Sequence, residues 1–232
     1  MTVQLNKFDN ATELNAAFAE EIAQKLTQGI EQNGAASLLV SGGNTPKALF
    51  SVLKYKDLDW SKVTIALVDD RWVTLDDPAS NETMVRQNLL QENAAAAHFI
   101  GMKTSHENAF DAVSTVTTNM QNIQMPFDVV ILGMGEDGHT ASIFPCCAQL
   151  DEGLTTKDLI LATEPTTAPH QRMTFSKAAL LNSKQLYLHL VGENKEAVLN
   201  QVRESNDERK APINAFLNQD KVPMTIMLAT SK

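Results

Sequence analysis

The stretch Phe127-Asp-Val-Val-Ile-Leu132, running on into Gly133-Met-Gly-Glu-Asp137-Gly-His139-Thr-Ala-Ser142, decides the fold. Phe127 to Leu132 reads as the clearest strand of the chain, an apolar run behind Pro126 interrupted only by Asp128. The polar alternation of a strand with one wet face is missing. Such a run is buried on both faces, as the strands of parallel sheets are. The chain then leaves the run through a glycine-rich turn that carries Asp137 and His139 two residues apart. In open α/β sheets ligands bind beyond the carboxyl ends of the strands. An imidazole placed there is the side chain best suited to move a proton near neutral pH. The loop reads as part of a site in preference to a solvated turn with an incidental histidine.

Outward from this strand, the chain alternates. Residues 11–32 repeat apolar side chains at helical spacing (Leu14, Phe18, Ile22, Leu26, Ile30), and Gly34 is placed to stop the helix. Residues 37–40 form a short β-like run, and 46–53 read as a helix. Residues 63–68 form a second apolar run ending at Asp69-Asp70-Arg71. Helices are expected over 81–91 and 107–122, a strand over 186–191, a helix after Gly192, and a last strand over 225–228. Strands alternating with amphipathic helices predict one α/β domain over residues 1–232. Its expected form is a three-layer, Rossmann-like, doubly wound and mostly parallel sheet.

Two more strand ends carry polar signatures. Ser41-Gly42-Gly43-Asn44-Thr45-Pro46 has two glycines for a tight turn, Thr45 as a helix cap and Pro46 for the first helical turn. The turn is either an anion site on free N–H groups or an ordinary strand-to-helix connection. Asp69-Asp70-Arg71 crowds two carboxylates and a guanidinium at a strand end, which is either a site or a surface ion cluster. Arg172 and Lys195, each taken alone, read as solvated surface cations. His98, His106 and His189 have no local constellation, and His189 reads as a structural residue of its strand.

Composition narrows the class. The 232 residues carry a net charge of −9, which disfavours nucleic acid and anionic membrane as partners. An anionic substrate then needs a pocket that is locally positive. The two cysteines, Cys146 and Cys147, are neighbours and make a poor disulfide framework. A reducing, cytoplasmic setting is expected. No leader pattern or membrane-length apolar run is read, and no metal-ligand spacing is present.

Taken in order, Ser41–Pro46, Asp69–Val73 with Ser80-Asn81, Leu132–Pro145, Arg172–Thr174 and Gly192–Lys195 resemble the motifs of the 6-phosphogluconolactonase family. That family belongs to a larger group that also holds glucosamine-6-phosphate deaminase. Asn44, Asp70, Ile143 and Met173 depart from its pattern of Ser, Glu, Leu and Ile. The resemblance implies hydrolysis of 6-phosphogluconolactone to 6-phosphogluconate in the oxidative pentose phosphate pathway, with no metal or organic cofactor. It implies that His139 activates water, Asp137 orients the site, Arg71 faces the developing oxyanion, and Asp69 fixes Arg71 or contacts sugar hydroxyls. It also implies that the substrate phosphate rests on Ser41, Gly42, Gly43, Asn44 and Thr45 beneath Arg172 and Lys195. The expected assembly is a monomer or small homo-oligomer.

Two rivals remain. A deaminase of the same group carries a Glu five positions after the His, where this chain has Phe144, and a Tyr where it has Arg71. A non-catalytic sugar-phosphate sensor usually adds a helix-turn-helix module, and there is no room for one before Ser37.

Overall fold

The structure is a computed structural model that describes residues 3–231. In chain order the strands and helices are β1 (Gln4–Phe8), α1 (Ala11–Asn33), β2 (Ala36–Val40), α2 (Thr45–Leu53), β3 (Val63–Leu67), β4 (Asp69–Arg71), α3 (Asn81–Asn88) and β5 (His98–Ile100). They continue with α4 (Ala109–Met120), β6 (Val129–Leu132), α5 (Leu150–Thr155), β7 (Ile160–Thr163), β8 (Arg172–Phe175), α6 (Lys177–Leu180), β9 (Leu186–Val191), α7 (Glu193–Ser205), α8 (Asn214–Leu217) and β10 (Met224–Ala229). No described helix is long and apolar enough to cross a membrane.

Seven strands form one sheet in the order β1-β10-β9-β6-β2-β3-β5, and every neighbouring pair is parallel. From β2 the chain steps through β3 to β5 at one edge. It then returns to β6 on the other side of β2 and proceeds through β9 and β10. The direction of winding therefore reverses between β2 and β6, and the loops that leave these strands diverge. A crevice opens at their carboxyl ends for that reason. A hydrogen bond from Ser41 Oγ to the Ile131 carbonyl, 2.8 Å, ties the two strand ends together at its floor.

Strand pleating sends alternate residues to opposite faces. Val129 and Ile131 join Leu14, Phe18, Ile22 and Leu26 of α1 and Leu49 and Phe50 of α2 in one core. Val130 and Leu132 join Val116 and Met120 of α4, Met173 and Phe175 of β8, and Phe216 of α8 in the other. The three-layer, doubly wound expectation holds. Helix α1 begins where Asn10 accepts from the Glu13 N–H and ends at Gly34, whose left-handed φ of 78° closes it.

The sequence reading missed a second sheet. Strands β4, β8 and β7 pair antiparallel, in that order, against the second face of the main sheet. The apolar run expected over 63–68 ends as β3 at Leu67, and Asp69–Arg71 pair as β4 with β8. These strands are three or four residues long, and Thr163, Arg172 and Thr174 interrupt their apolar character, so no period betrays them. Strand β1 was missed as well, because it is a largely exposed edge with no apolar run.

Candidate active site

The crevice at the switch point is a cleft of about 210 Å³. Its first wall is the turn from Ser41 through Thr45 at the start of α2. Thr45 was expected to cap that helix, and the structure corrects this: Asn44 is the cap residue, already in the right-handed helical region, and no side chain caps the helix. Among the described residues, the first N–H groups of α2 therefore meet no side-chain acceptor there, at the positive end of the helix dipole. Gly42 is needed for packing, since a Cβ there would lie 2.0 Å from the side chain of Asn81. Asn81 is buried, lines the cleft, and donates from Nδ2 to the Asp69 carbonyl at 3.3 Å.

The second wall is the turn after β6. His139 lines the cleft, and its Nδ1 lies 2.5 Å from Asp137 Oδ1. The same carboxylate oxygen accepts the His139 backbone N–H at 3.1 Å. Gly135 makes this close turn possible, because a Cβ on it would lie 2.1 Å from His139 Nδ1. Asp137 is not part of the lining and holds the imidazole from behind. Burial opposes its ionisation, but the hydrogen bond and charge of His139 prevail and keep its carboxyl below the ordinary range. The Phe144 ring stacks on the imidazole, with centroids 3.9 Å apart and planes inclined by 23°. His139 is thus fixed in position and tilt by two side chains, with Nε2 left without a protein partner among the described residues.

The third wall comes from the small sheet. Arg71 and Arg172 are directly opposed in the β4–β8 pair. Like charges in that position repel, so the pair calls for an anion between or beside them. Arg71 donates to the Ala79 carbonyl at 2.8 Å and Arg172 to the Pro169 carbonyl at 3.1 Å. The Arg172 Nε is buried without a partner among the described residues. Burial pulls the Arg172 pKa below its usual value; Asp69 opposes that effect and Arg71 adds to it. Lys195, in the first turn of α7, closes the cleft and donates to the Met134 carbonyl at 2.9 Å.

The three acidic residues separate by role. Asp69 lines the cleft and accepts a 2.5 Å hydrogen bond from Ser142 Oγ. It forms no ion pair with Arg71 among the described residues, so the expectation that it fixes Arg71 is corrected. Asp70 points away from the cleft and accepts the backbone N–H groups of Arg71, Asn81 and Glu82 at 2.7–3.1 Å, closing the start of α3. Burial pushes its carboxyl up to about 7 against the pull of those donors.

Ser142, which is fully buried, was not singled out from the sequence. Its N–H donates to Thr174 Oγ1 on β8, its hydroxyl donates to Asp69 on β4, and its carbonyl accepts from Thr163 Oγ1 on β7. One residue of the β6 loop therefore fastens all three strands of the small sheet to the main sheet. Asn81 and His189 were also missed as lining residues. Only the Ser80-Asn81 dipeptide gave a signal, through the motif that contains it.

The family profile described as glucosamine-6-phosphate isomerases/6-phosphogluconolactonase matches residues 9–225. The chain belongs to this family. It is 40% identical over 231 residues to a 6-phosphogluconolactonase of Rhizobium meliloti, covering 99% of this chain and 100% of that one. The crystal structure of a 6-phosphogluconolactonase from Shewanella baltica superposes with a TM-score of 0.97 at 48% identity, covering 99% of this chain and 98% of that chain. A monomeric glucosamine-6-phosphate deaminase is similar in fold, with a TM-score of 0.77 at 16% identity over 97% of each chain. The fold is therefore shared by both branches of the family, and the choice between their chemistries rests on the site.

Proposed function

We propose that this protein hydrolyses 6-phosphogluconolactone to 6-phosphogluconate. The observation that carries the reading is the Asp137–His139 pair, held on the cleft wall across from an uncapped helix N-terminus and two opposed arginines. Asp137 occupies Nδ1, which leaves Nε2 to take a proton from water. The water oxygen attacks the lactone carbonyl carbon, and the negative charge that gathers on the carbonyl oxygen faces Arg71. Collapse of the tetrahedral intermediate breaks the bond to the ring oxygen, and His139 returns its proton to that oxygen as it leaves. The phosphate, with nearly two negative charges at neutral pH, rests on the α2 N-terminus between Arg172 and Lys195. Asp69, held by Ser142, is available to sugar hydroxyls. The pathway we assign is the oxidative pentose phosphate route in the cytoplasm, by the substrate class.

Phe144 argues against the deaminase reading. Its ring is occupied as the platform for His139, and no carboxylate stands in its place to assist ring opening. The deciding experiment is an assay on fresh 6-phosphogluconolactone, corrected for spontaneous hydrolysis, with ammonia release from glucosamine 6-phosphate followed in parallel. Lactone hydrolysis without ammonia release is the expected result. Ammonia release, or no rate above the spontaneous one, would sink the proposal.

A further inference from the structure

Strand β9 carries a buried histidine that the mechanism above does not use. His189 is 4% exposed, and neither of its ring nitrogens has a hydrogen-bond partner among the described residues. Four buried side chains among the described residues have an unpartnered polar atom, and two of them, Arg172 and His189, line the cleft. Buried polar groups are paired as a rule, and an exception asks for an explanation.

Register and packing locate the ring. Leu132 pairs with Leu188, so His189 stands one step further along, at the height where β6 gives way to Gly133. Its ring meets Phe18 of α1 edge-on, with centroids 5.3 Å apart and planes at 75°. It therefore faces the layer that holds α1 and α2, and α2 starts at the same carboxyl end of the sheet. His189 shares the cleft lining with Thr45 and Pro46, the first residues of that helix. Burial pushes its pKa down to about 4, so at neutral pH the ring is uncharged and offers one N–H donor.

We infer that His189 is a further binding residue of the cleft, donating its ring N–H to the phosphate of the substrate from beneath the α2 N-terminus. The inference rests on the lactonase reading for the substrate and on the geometry for the residue. A neutral donor suits this position, because it adds a hydrogen bond without adding a third cation beside the buried Arg172 and the half-buried Lys195. Its unmet N–H is then satisfied by the ligand.

The test compares His189→Phe, which keeps a ring against Phe18, with His189→Asn, which restores an N–H donor, and uses Lys195→Ala as the control for the phosphate site. The readouts are KM and kcat for the lactone and competitive inhibition by inorganic phosphate. A hydrogen bond to a charged group lost without replacement raises KM and the phosphate inhibition constant by roughly 10- to 100-fold. Such a rise in His189→Phe, with a much smaller change in kcat and partial recovery in His189→Asn, supports the inference. Parental constants in His189→Phe, alongside a raised KM in Lys195→Ala, would overturn it and leave the lactonase reading standing. Parental constants in all three variants would overturn the phosphate site as a whole. If His189→Phe does not fold, the ring ¹⁵N resonances of the wild-type protein decide: the imidazole that stays neutral at pH 5 must shift when inorganic phosphate is added, and no shift refutes the contact.

Discussion

His139 is useful because its neighbours leave it no freedom. Asp137 holds Nδ1 and Phe144 lies flat on the ring, so Nε2 faces the cleft in one orientation. Removing a general base typically costs about 10²–10⁴-fold in rate. His139→Ala is expected to lose turnover on that scale while its thermal unfolding stays close to the parent's, since the side chain lies on a partly exposed turn. Near-parental turnover in a folded variant would exclude the imidazole from the mechanism. Phe144 poses the complementary question. A Glu there would be buried, since Phe144 is 4% exposed, but the Arg172 guanidinium lies 5.7 Å from the Phe144 ring and would draw a carboxylate toward it. Phe144→Glu is expected to fold, to lose the platform under His139, and to compete with substrate phosphate for Arg172. Lower lactonase activity, a raised KM and no ammonia release are expected. Ammonia release from glucosamine 6-phosphate by this variant would mean that Phe144 alone separates the two chemistries.

At the scale of elements, the site is a meeting of two turns and one small sheet. The turn into α2 approaches Asn81 so closely that only a glycine fits at 42. Asn81 cannot swing clear, because it is buried and bonded to the Asp69 carbonyl. Gly42→Ala is therefore expected to displace either the α2 N-terminus or β4. Overpacking of this kind costs about 1–3 kcal/mol, readable as a lower urea midpoint, and the displaced turn raises KM for the phosphorylated substrate. A variant with parental stability and KM would show that the turn is looser than its packing implies. Ser142 has a comparable role from the other side, since its three hydrogen bonds register the Asp69 and Arg172 strands against the His139 loop.

Over the whole molecule, burial of titratable groups couples the fold to pH. His189 holds its proton at about 4 when folded against about 6.5 when unfolded. Between those values the unfolded chain binds more protons at this position, so stability falls as the pH drops from 6.5 toward 4, by roughly 3 kcal/mol in all. Asp70 acts in the opposite sense: its raised pKa gives a contribution that is present below about 4 and lost as pH rises through 7. The two partly cancel in the wild-type curve, so the difference between wild type and His189→Phe isolates the imidazole. Urea unfolding at pH 7 and pH 4.5 is expected to show the variant losing less stability on acidification than the parent. Equal losses would mean that the ring is not kept neutral by its burial. The surface carries a net charge of −9, yet Arg71, Arg172, Lys195 and the α2 N-terminus converge on one cleft, as an anionic substrate requires.

The sequence by itself determined the elements whose physics is local. The apolar strand read over 127–132 announces an element buried on both faces, the 11–32 periodicity announces α1, and the polar segments at three strand ends all contribute to the lining of the cleft. Asp137 and His139, two apart on a glycine turn, were legible as a pair for the same reason. What only the tertiary structure decided depends on residues distant in the chain. The small sheet was invisible because its strands are too short for a period. Asp69 and Asp70 look equivalent in sequence, yet pleating sends one to the cleft and Ser142, and the other to the start of α3. His189 read as a structural strand residue, because nothing within its own strand shows that both ring nitrogens lie buried and unpartnered at the edge of the cleft. Periodicity reports which face of its own element a residue takes, while the partner across the fold is set by strand order and the winding reversal between β2 and β6.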